Sequence, residues 1–294
     1  MSDDGLATSK QPSDSDEHVL VEAADDGDGH FATPPGTRNG NSGDHGAVTG
    51  RQRNDPAQYA ELQDQWWEPH GAFAALHWLA AWRAQHLPPA GRDGAVLVDL
   101  GCGGGLMGPH VAPLGYRHVG VDIGLPGLAL ARAHGVWPVG GSALAVPLAD
   151  GCADVVLACE ILEHVEDDVA VLAECARLLR PGGLLLLDAL AATRFSVLIN
   201  VHLLERLPGG PPRGLHDPAL FVDRRQLLAA ADRLGLDLEL VGLRPSMREA
   251  IAWALGRRDL VTMKTHRWTG SVFAGIGRKR WDGAGESCDV PSKA

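Results

Sequence analysis

The run Val98-Asp99-Leu100-Gly101-Cys102-Gly103-Gly104-Gly105 is the stretch best suited to receive a ligand. It ends a short apolar segment, Ala95 to Leu100, and opens a helical one, Leu106 to Leu114. Glycines at such a junction let backbone approach a ligand without Cβ clashes. They serve equally well in a plain strand-to-helix turn, or under the pyrophosphate of a dinucleotide. Asp99, two residues before the first glycine, would repel a pyrophosphate but would pair with a cationic amino-acid group. Asp122 closes the next strand, His118 to Asp122, seventeen residues after Gly105. An acid at that tip is placed to take both ribose hydroxyls of an adenosine. Either acid alone also fits simple exposure at a strand end. Taken with the glycines, the two point to adenosine plus a charged amino-acid moiety, which is S-adenosylmethionine.

Glu160, Glu163 and His164 form a second constellation. If that segment is helical, Glu160 and His164 meet at i,i+4. Two carboxylates and an imidazole suit a divalent ion such as Mg2+, which would acidify a phenol by Lewis-acid action. The other reading is that Glu160 and His164 shape the site, with His164 as general base for an acceptor hydroxyl. Cys102, Cys152, Cys159, Cys175 and Cys288 include no Cys-x-x-Cys pair, so neither a disulfide framework nor a zinc knuckle is expected.

The elements that must hold these residues alternate in kind. Apolar strand runs at 95–100, 118–122, near Val136, at 154–158 and at 184–190 are separated by helical segments, one of them Asp167 to Leu179. Pro181-Gly182-Gly183 reads as a turn before the fifth strand. Such alternation predicts an α/β Rossmann-like fold, a seven-stranded mostly parallel sheet with helices on both faces and ligands at the strand carboxyl ends. Ahead of it, Tyr59, Leu62 and Trp66, then Phe73, Leu76, Leu79 and Trp82, recur at helical spacing and imply two short amphipathic helices within 55–90. One domain is expected over 55–280. An acidic tail at 1–54 and a loose end at 281–294 carry too little apolar surface to order themselves.

With those residues on the page, the chain resembles the class I S-adenosylmethionine-dependent methyltransferases, through DLGCGGG, HVGVDI, DVVLACEILEHV and LRPGGLLLLDAL. More narrowly it is similar to the UbiG-type O-methyltransferases of ubiquinone biosynthesis, through WWEPHGAFAALHWLAAWR, CEILEHV, and FSVLINVHLLERL with LHDPALFVDRRQL. The likeness runs from about Gln65 to Lys279. It implies that Arg83 lines the cofactor site, that Gly101 contacts the methionine moiety and Asp122 the ribose, and that Cys159 is a further cofactor contact. Cys159 is as readily read as a buried core thiol. Ser142 stands where many members of the class carry an acid for the adenine amine. The cofactor set expected is thus Arg83, Asp99, Gly101, Gly103, Gly105, Asp122, Ser142 and Cys159.

The segment 193–218 reads as a substrate insertion. Phe195, Val197, Leu198, Ile199, Val201, Leu203 and Leu204 make 194–207 apolar on most of its surface. It suits either a helix capping the acceptor pocket or an interfacial helix touching a membrane. His216-Asp217 suits either a wall of the acceptor site or an Asx turn. The activity implied is O-methylation of a hydroxyl on a hydrophobic phenolic or quinol-like molecule. The alternatives are methylation of a glycan or glycolipid hydroxyl, C-methylation of a quinone-type ring, or a non-catalytic cofactor-binding regulator.

Charge narrows the partners. The formal net charge is −11, of which residues 1–54, with ten acids and four bases, carry −6. No basic stripe is present to neutralise phosphates, which disfavours nucleic acid. No apolar run approaches the ~18 residues of a membrane span. The start MSDDGLATSK lacks the pattern of a secretory signal, so a cytoplasmic protein is expected, peripheral on the inner membrane face if 194–207 touches lipid.

Overall fold

The computed structural model describes residues 52–281 except Pro208 and Gly209. Most of the expected acidic tail and of the loose C-terminal end lies outside the described residues.

In chain order the elements are α1 (Ala57–Glu61), α2 (Ala74–Ala84), β1 (Val96–Leu100), α3 (Gly108–Val111), β2 (Arg117–Asp122), α4 (Leu125–Ala133), β3 (Trp137–Gly140) and β4 (Ala153–Cys159). Then come α5 (Asp168–Leu178), β5 (Leu179–Leu190), α6 (Arg194–Ser196), α7 (Arg224–Arg233), β6 (Leu236–Pro245), α8 (Met247–Ala254), β7 (Met263–His266) and β8 (Val272–Lys279). The strands form one sheet in the order β3-β2-β1-β4-β5-β8-β6-β7. The first five pair in parallel, and β8 runs antiparallel to both β5 and β6.

The expected α/β Rossmann-like class is observed, but the sheet has eight strands, not seven. The extra one is β7, a four-residue edge strand antiparallel to the end of β6. Its sequence, MKTH, is polar after Met263 and exposed at its two central residues, so no apolar run marks it. A second correction concerns Pro181-Gly182-Gly183. Rather than a turn before the fifth strand, these residues are an irregularity within β5, where the ladder with β4 jumps from Ala153–Leu179 to Val155–Leu184. Gly182, at φ 77°, provides the left-handed residue that the bulge needs.

Strand alternation divides the core between the two faces. Val98, Leu100, Val156, Ala158, Leu185 and Leu187 meet α5 and α7 through Leu172, Cys175, Leu227 and Ala230. Leu97, Val155, Leu157, Leu184 and Leu186 meet Leu79 and Trp82 of α2 on the other side. With both faces covered, the central strands are apolar throughout, as a parallel sheet requires. Asp167 caps α5 by accepting from the Ala170 N–H at 2.9 Å. Asp99, Asp122, Glu160 and Asp188 lie at or beside the ends of β1, β2, β4 and β5.

Candidate active site

The glycine loop leaves β1 through three left-handed residues, Gly101 (φ 71°), Gly103 (φ 49°) and Gly105 (φ 77°). Two are fixed by neighbours as well as by φ. A Cβ at Gly105 would lie 2.6 Å from the Ala131 Cα of α4, and one at Gly103 would strike the Trp66 indole. Asp122, at the end of β2, ties this loop to the next one. Its Oδ2 accepts from the Gly103 N–H at 2.8 Å and its Oδ1 from the Gly124 N–H at 2.7 Å. Desolvation raises its pKa, and those backbone donors oppose the rise. Asp99 is buried beside His118, with 3.4 Å between Oδ2 and Nε2. Ser142 accepts from the Leu144 N–H at 3.2 Å, closing a tight turn after β3.

Arg83, buried on α2, donates through Nε and Nη2 to the two carboxylate oxygens of Asp188 on β5, each at 2.6 Å. This bidentate pair anchors α2 to the end of β5. Nothing in the sequence singled out Asp188, because it lies within an apolar strand. Cys159 ends β4 in the core, its thiol donating to the Leu186 carbonyl at 3.6 Å, and burial pushes its pKa well up.

Glu160 follows β4 with φ 52°, a backbone state rare for a residue with a Cβ. The chain then makes one 3-10 turn, Leu162–His164. The expected helical i,i+4 pairing of Glu160 with His164 therefore does not form. Burial and the nearby Asp188 carboxylate raise the Glu160 pKa to about 8. Glu163 is fully buried, and desolvation, with the nearby Glu160 carboxylate, raises its pKa well above the usual range. A neutral, enclosed acid is a poor ligand for a hard cation. Among the described residues no cluster of three His, Cys, Asp or Glu side chains is placed to hold a metal. The Mg2+ site expected from Glu160, Glu163 and His164 is thus not supported: the two carboxyls are buried with raised pKa values, and the His164 ring is bonded to Asn54 and Tyr59.

His164 faces elsewhere. Its Nδ1 lies 2.6 Å from the Asn54 Oδ1, and its Nε2 lies 3.2 Å from the Tyr59 hydroxyl. His216 stacks on it at 5.5 Å between ring centroids. Desolvation, with His216 nearby, lowers the His164 pKa to about 3, so the ring is neutral. The Tyr59 phenol is pushed above its ordinary range by burial and by Glu163, Glu160 and Asp122. Tyr59 also stacks with Trp66 and Phe73, and Trp67 donates to the Gly104 carbonyl at 3.1 Å. The segment ahead of α2 therefore lies against the glycine loop and the acid-and-histidine turn together. Tyr59 reads from sequence only as one apolar position of an amphipathic helix, and Asn54 as the last residue of a tail.

His216 and Asp217 face different neighbours. His216 joins His164, while the Asp217 side chain accepts from the Ala219 N–H at 3.0 Å in a local turn. Beside them a groove of about 630 Å³ runs along Thr193, Val197, Leu198, His202 and Pro218.

A methyltransferase-domain family model matches residues 98–187, from β1 through the glycine loop to β5. A ubiquinone biosynthesis O-methyltransferase of Thiobacillus denitrificans is 34% identical over 198 residues, covering 62% of this chain and 82% of that protein. One from Cereibacter sphaeroides is 30% identical over 235 residues, covering 70% and 92%. This chain belongs to the ubiquinone biosynthesis O-methyltransferase family of class I S-adenosylmethionine-dependent methyltransferases. It is an enzyme of that type. The fold agrees with that of a Thermotoga maritima S-adenosylmethionine-dependent methyltransferase, with TM-score 0.53 at 19% identity over 76% of this chain and 97% of the other. In this methyltransferase the matched span holds the glycine loop, Asp122, Glu160 and His164. Arg83, Tyr59 and Asn54 lie ahead of it.

Proposed function

We propose that this methyltransferase O-methylates a hydroxyl of a hydrophobic phenolic or quinol-type small molecule, with His164 as the general base. The observation that carries the reading is the contact between His164 Nε2 and the Tyr59 phenol at 3.2 Å. A neutral imidazole already accepts a phenolic hydrogen there, so the site is chemically suited to an acceptor phenol that takes the same place.

The residues present suit the cofactor. Each Asp122 oxygen accepts one backbone hydrogen bond and keeps lone-pair capacity for a ribose hydroxyl. The left-handed glycines let the loop pack closely between Trp66, Ala131 and Asp122, and Asp99 and Arg83 offer opposite charges for the amino-acid end. The Ser142 hydroxyl is the candidate partner for adenine. Cys159, bonded within the core, lends shape rather than a polar contact. S-adenosylmethionine supplies a methyl group already activated on a sulfonium, so the protein has two tasks: to align the acceptor oxygen and to remove its proton. His164 takes that proton on Nε2. The groove along Val197 and Leu198 receives the acceptor's apolar part.

Methyl transfer from labelled cofactor into a lipid extract, followed by identification of the product, tests the reading. Label on a phenolic oxygen is expected. Label on ring carbon, or in a glycolipid, overturns it. His164→Gln should lower kcat by on the order of 100-fold or more, with KM for the cofactor little changed.

We further propose that the 194–207 segment touches a membrane surface. Phe195, Leu198, Leu203 and Leu207 are exposed there, whereas Ser196, Asn200 and Glu205 are buried. Such an inverted distribution is costly in water and suits an apolar phase. Among the described residues no helix is long and apolar enough to cross a membrane.

A further inference from the structure

We infer that Asn54 is a positioning residue for the methyl transfer, fixing His164 in the one tautomer that leaves Nε2 free to accept a proton. This rests on the reading of His164 as the base.

Asn54 holds His164 at two points. Its Nδ2 donates to the His164 backbone carbonyl at 3.0 Å, and its Oδ1 lies 2.6 Å from Nδ1 of the same residue. A carbonyl oxygen can only accept, so the amide nitrogen must face it. The amide oxygen must then face the ring. An amide oxygen is likewise only an acceptor, so Nδ1 carries the hydrogen and Nε2 carries the lone pair. Nε2 faces the Tyr59 hydroxyl, 3.2 Å away. Without this clamp a neutral imidazole is free to protonate on Nε2, which would remove the acceptor from the reaction side.

The clamp is built by the backbone around it. Asn54 has φ 57°, a left-handed state that asparagine tolerates better than most residues. Its N–H donates to the Gly214 carbonyl at 2.9 Å. Next to it, Arg53 grips both carboxylate oxygens of Glu205 at 2.8 Å and donates through Nε to the His216 carbonyl at 2.6 Å. Against desolvation, the His216 side chain, the Gly214 N–H and Arg53 together hold the Glu205 pKa down at about 2. The residues before α1 are therefore pinned to the 205–216 segment, and Asn54 is presented to His164 from that anchor. The other groups against the ring are Tyr59 and His216, and among the described residues only Asn54 meets Nδ1 within hydrogen-bond distance.

The test uses the full chain with ¹⁵N-labelled histidine, assigned by comparison with His164→Gln, and a 4-alkylcatechol as methyl acceptor. In the wild type the His164 Nε2 should resonate as an unprotonated ring nitrogen and Nδ1 as a protonated one. Asn54→Gly keeps the left-handed backbone and removes the clamp. It should move His164 toward the other tautomer and lower kcat by on the order of 10-fold or more, with S-adenosylhomocysteine affinity and melting temperature little changed. Asn54→Asp keeps an acceptor opposite Nδ1 and should recover the tautomer and most of kcat. An Asn54→Gly enzyme with wild-type kcat and tautomer overturns the inference while leaving the base in place. A His164→Gln enzyme with wild-type kcat overturns the base itself, and Asn54 with it. Loss in Asn54→Gly without any change of tautomer reduces Asn54 to a packing role and also overturns the inference.

Discussion

Asp122 and Glu160 show how two buried carboxyl groups of one chain are held differently. Asp122 accepts from two backbone N–H groups, one in each of two loops, which fix the carboxylate and oppose its desolvation. Asp122→Asn leaves only one accepting oxygen. Titration with S-adenosylhomocysteine should show affinity reduced by about 10-fold or more, roughly one charge-assisted hydrogen bond or greater. Unchanged affinity would remove the ribose assignment. Glu160 is desolvated beside Asp188, and its pKa of about 8 lies above the ordinary 4.5 of an unfolded chain. Between those values the folded state binds the extra proton. Its stabilising contribution is complete below pH 4.5 and is lost as pH rises through 8. His164 runs the other way. Its pKa of about 3 lies below the unfolded 6.5, so its contribution is full above 6.5 and falls as pH drops toward 3. Glu160→Gln should therefore flatten the alkaline side: stability of the variant should fall less than wild type from about pH 5 to about pH 8. The difference should approach ~1.4 kcal/mol for each pH unit in which only the folded state is protonated. Parallel melting curves across that range would refute it.

Among the elements, the 194–207 segment carries the clearest consequence. After α6 the chain continues as a π-helical stretch, Val197–Leu203, and a 3-10 turn, Leu204–Arg206. The wider winding places Asn200 inward, where its Nδ2 donates to the Ser196 carbonyl at 3.0 Å, and leaves Leu198 and Leu203 outward. A sequence reading at ordinary helical period sees only an apolar segment, since nothing in it forces the π winding. Replacing Phe195, Leu198 and Leu203 by serine should abolish co-sedimentation with anionic vesicles while leaving the melting temperature within about 1–2 °C, because the removed groups are already exposed. Equal pelleting of variant and wild type would dismiss the membrane contact. The short edge strand β7 was illegible for a related reason. Its four residues, mostly polar, take their strand state from pairing with β6, not from their own composition.

For the whole molecule, the contacts that complete the site reach back to Arg53 and Asn54 and no further among the described residues. A chain beginning at Gln52 keeps both residues and serves as the reference. A chain beginning at Ala57 loses both the Arg53–Glu205 pair and the Asn54 clamp. Its kcat should fall by on the order of 10-fold or more. If both truncations behave alike, the segment ahead of α1 has no part in the site.

The sheet, the glycine loop and the strand-tip acids were legible in the linear sequence because their signals are local. Apolar runs at strand length, glycines next to them and an acid at a fixed offset all lie within a few residues. The unpaired helical geometry of Glu160, Glu163 and His164 was not legible, because one left-handed residue after β4 redirects the turn. Neither was the company His164 keeps. Asn54 and His164 are 110 positions apart, and Arg83 and Asp188 are 105 apart. Such pairs leave no periodic trace, and only the folded chain, by burying them side by side, makes each the other's hydrogen-bond partner. The sequence by itself therefore determined the fold and the cofactor class. The tertiary structure decided which neutral histidine faces a phenol, and which distant amide holds it there.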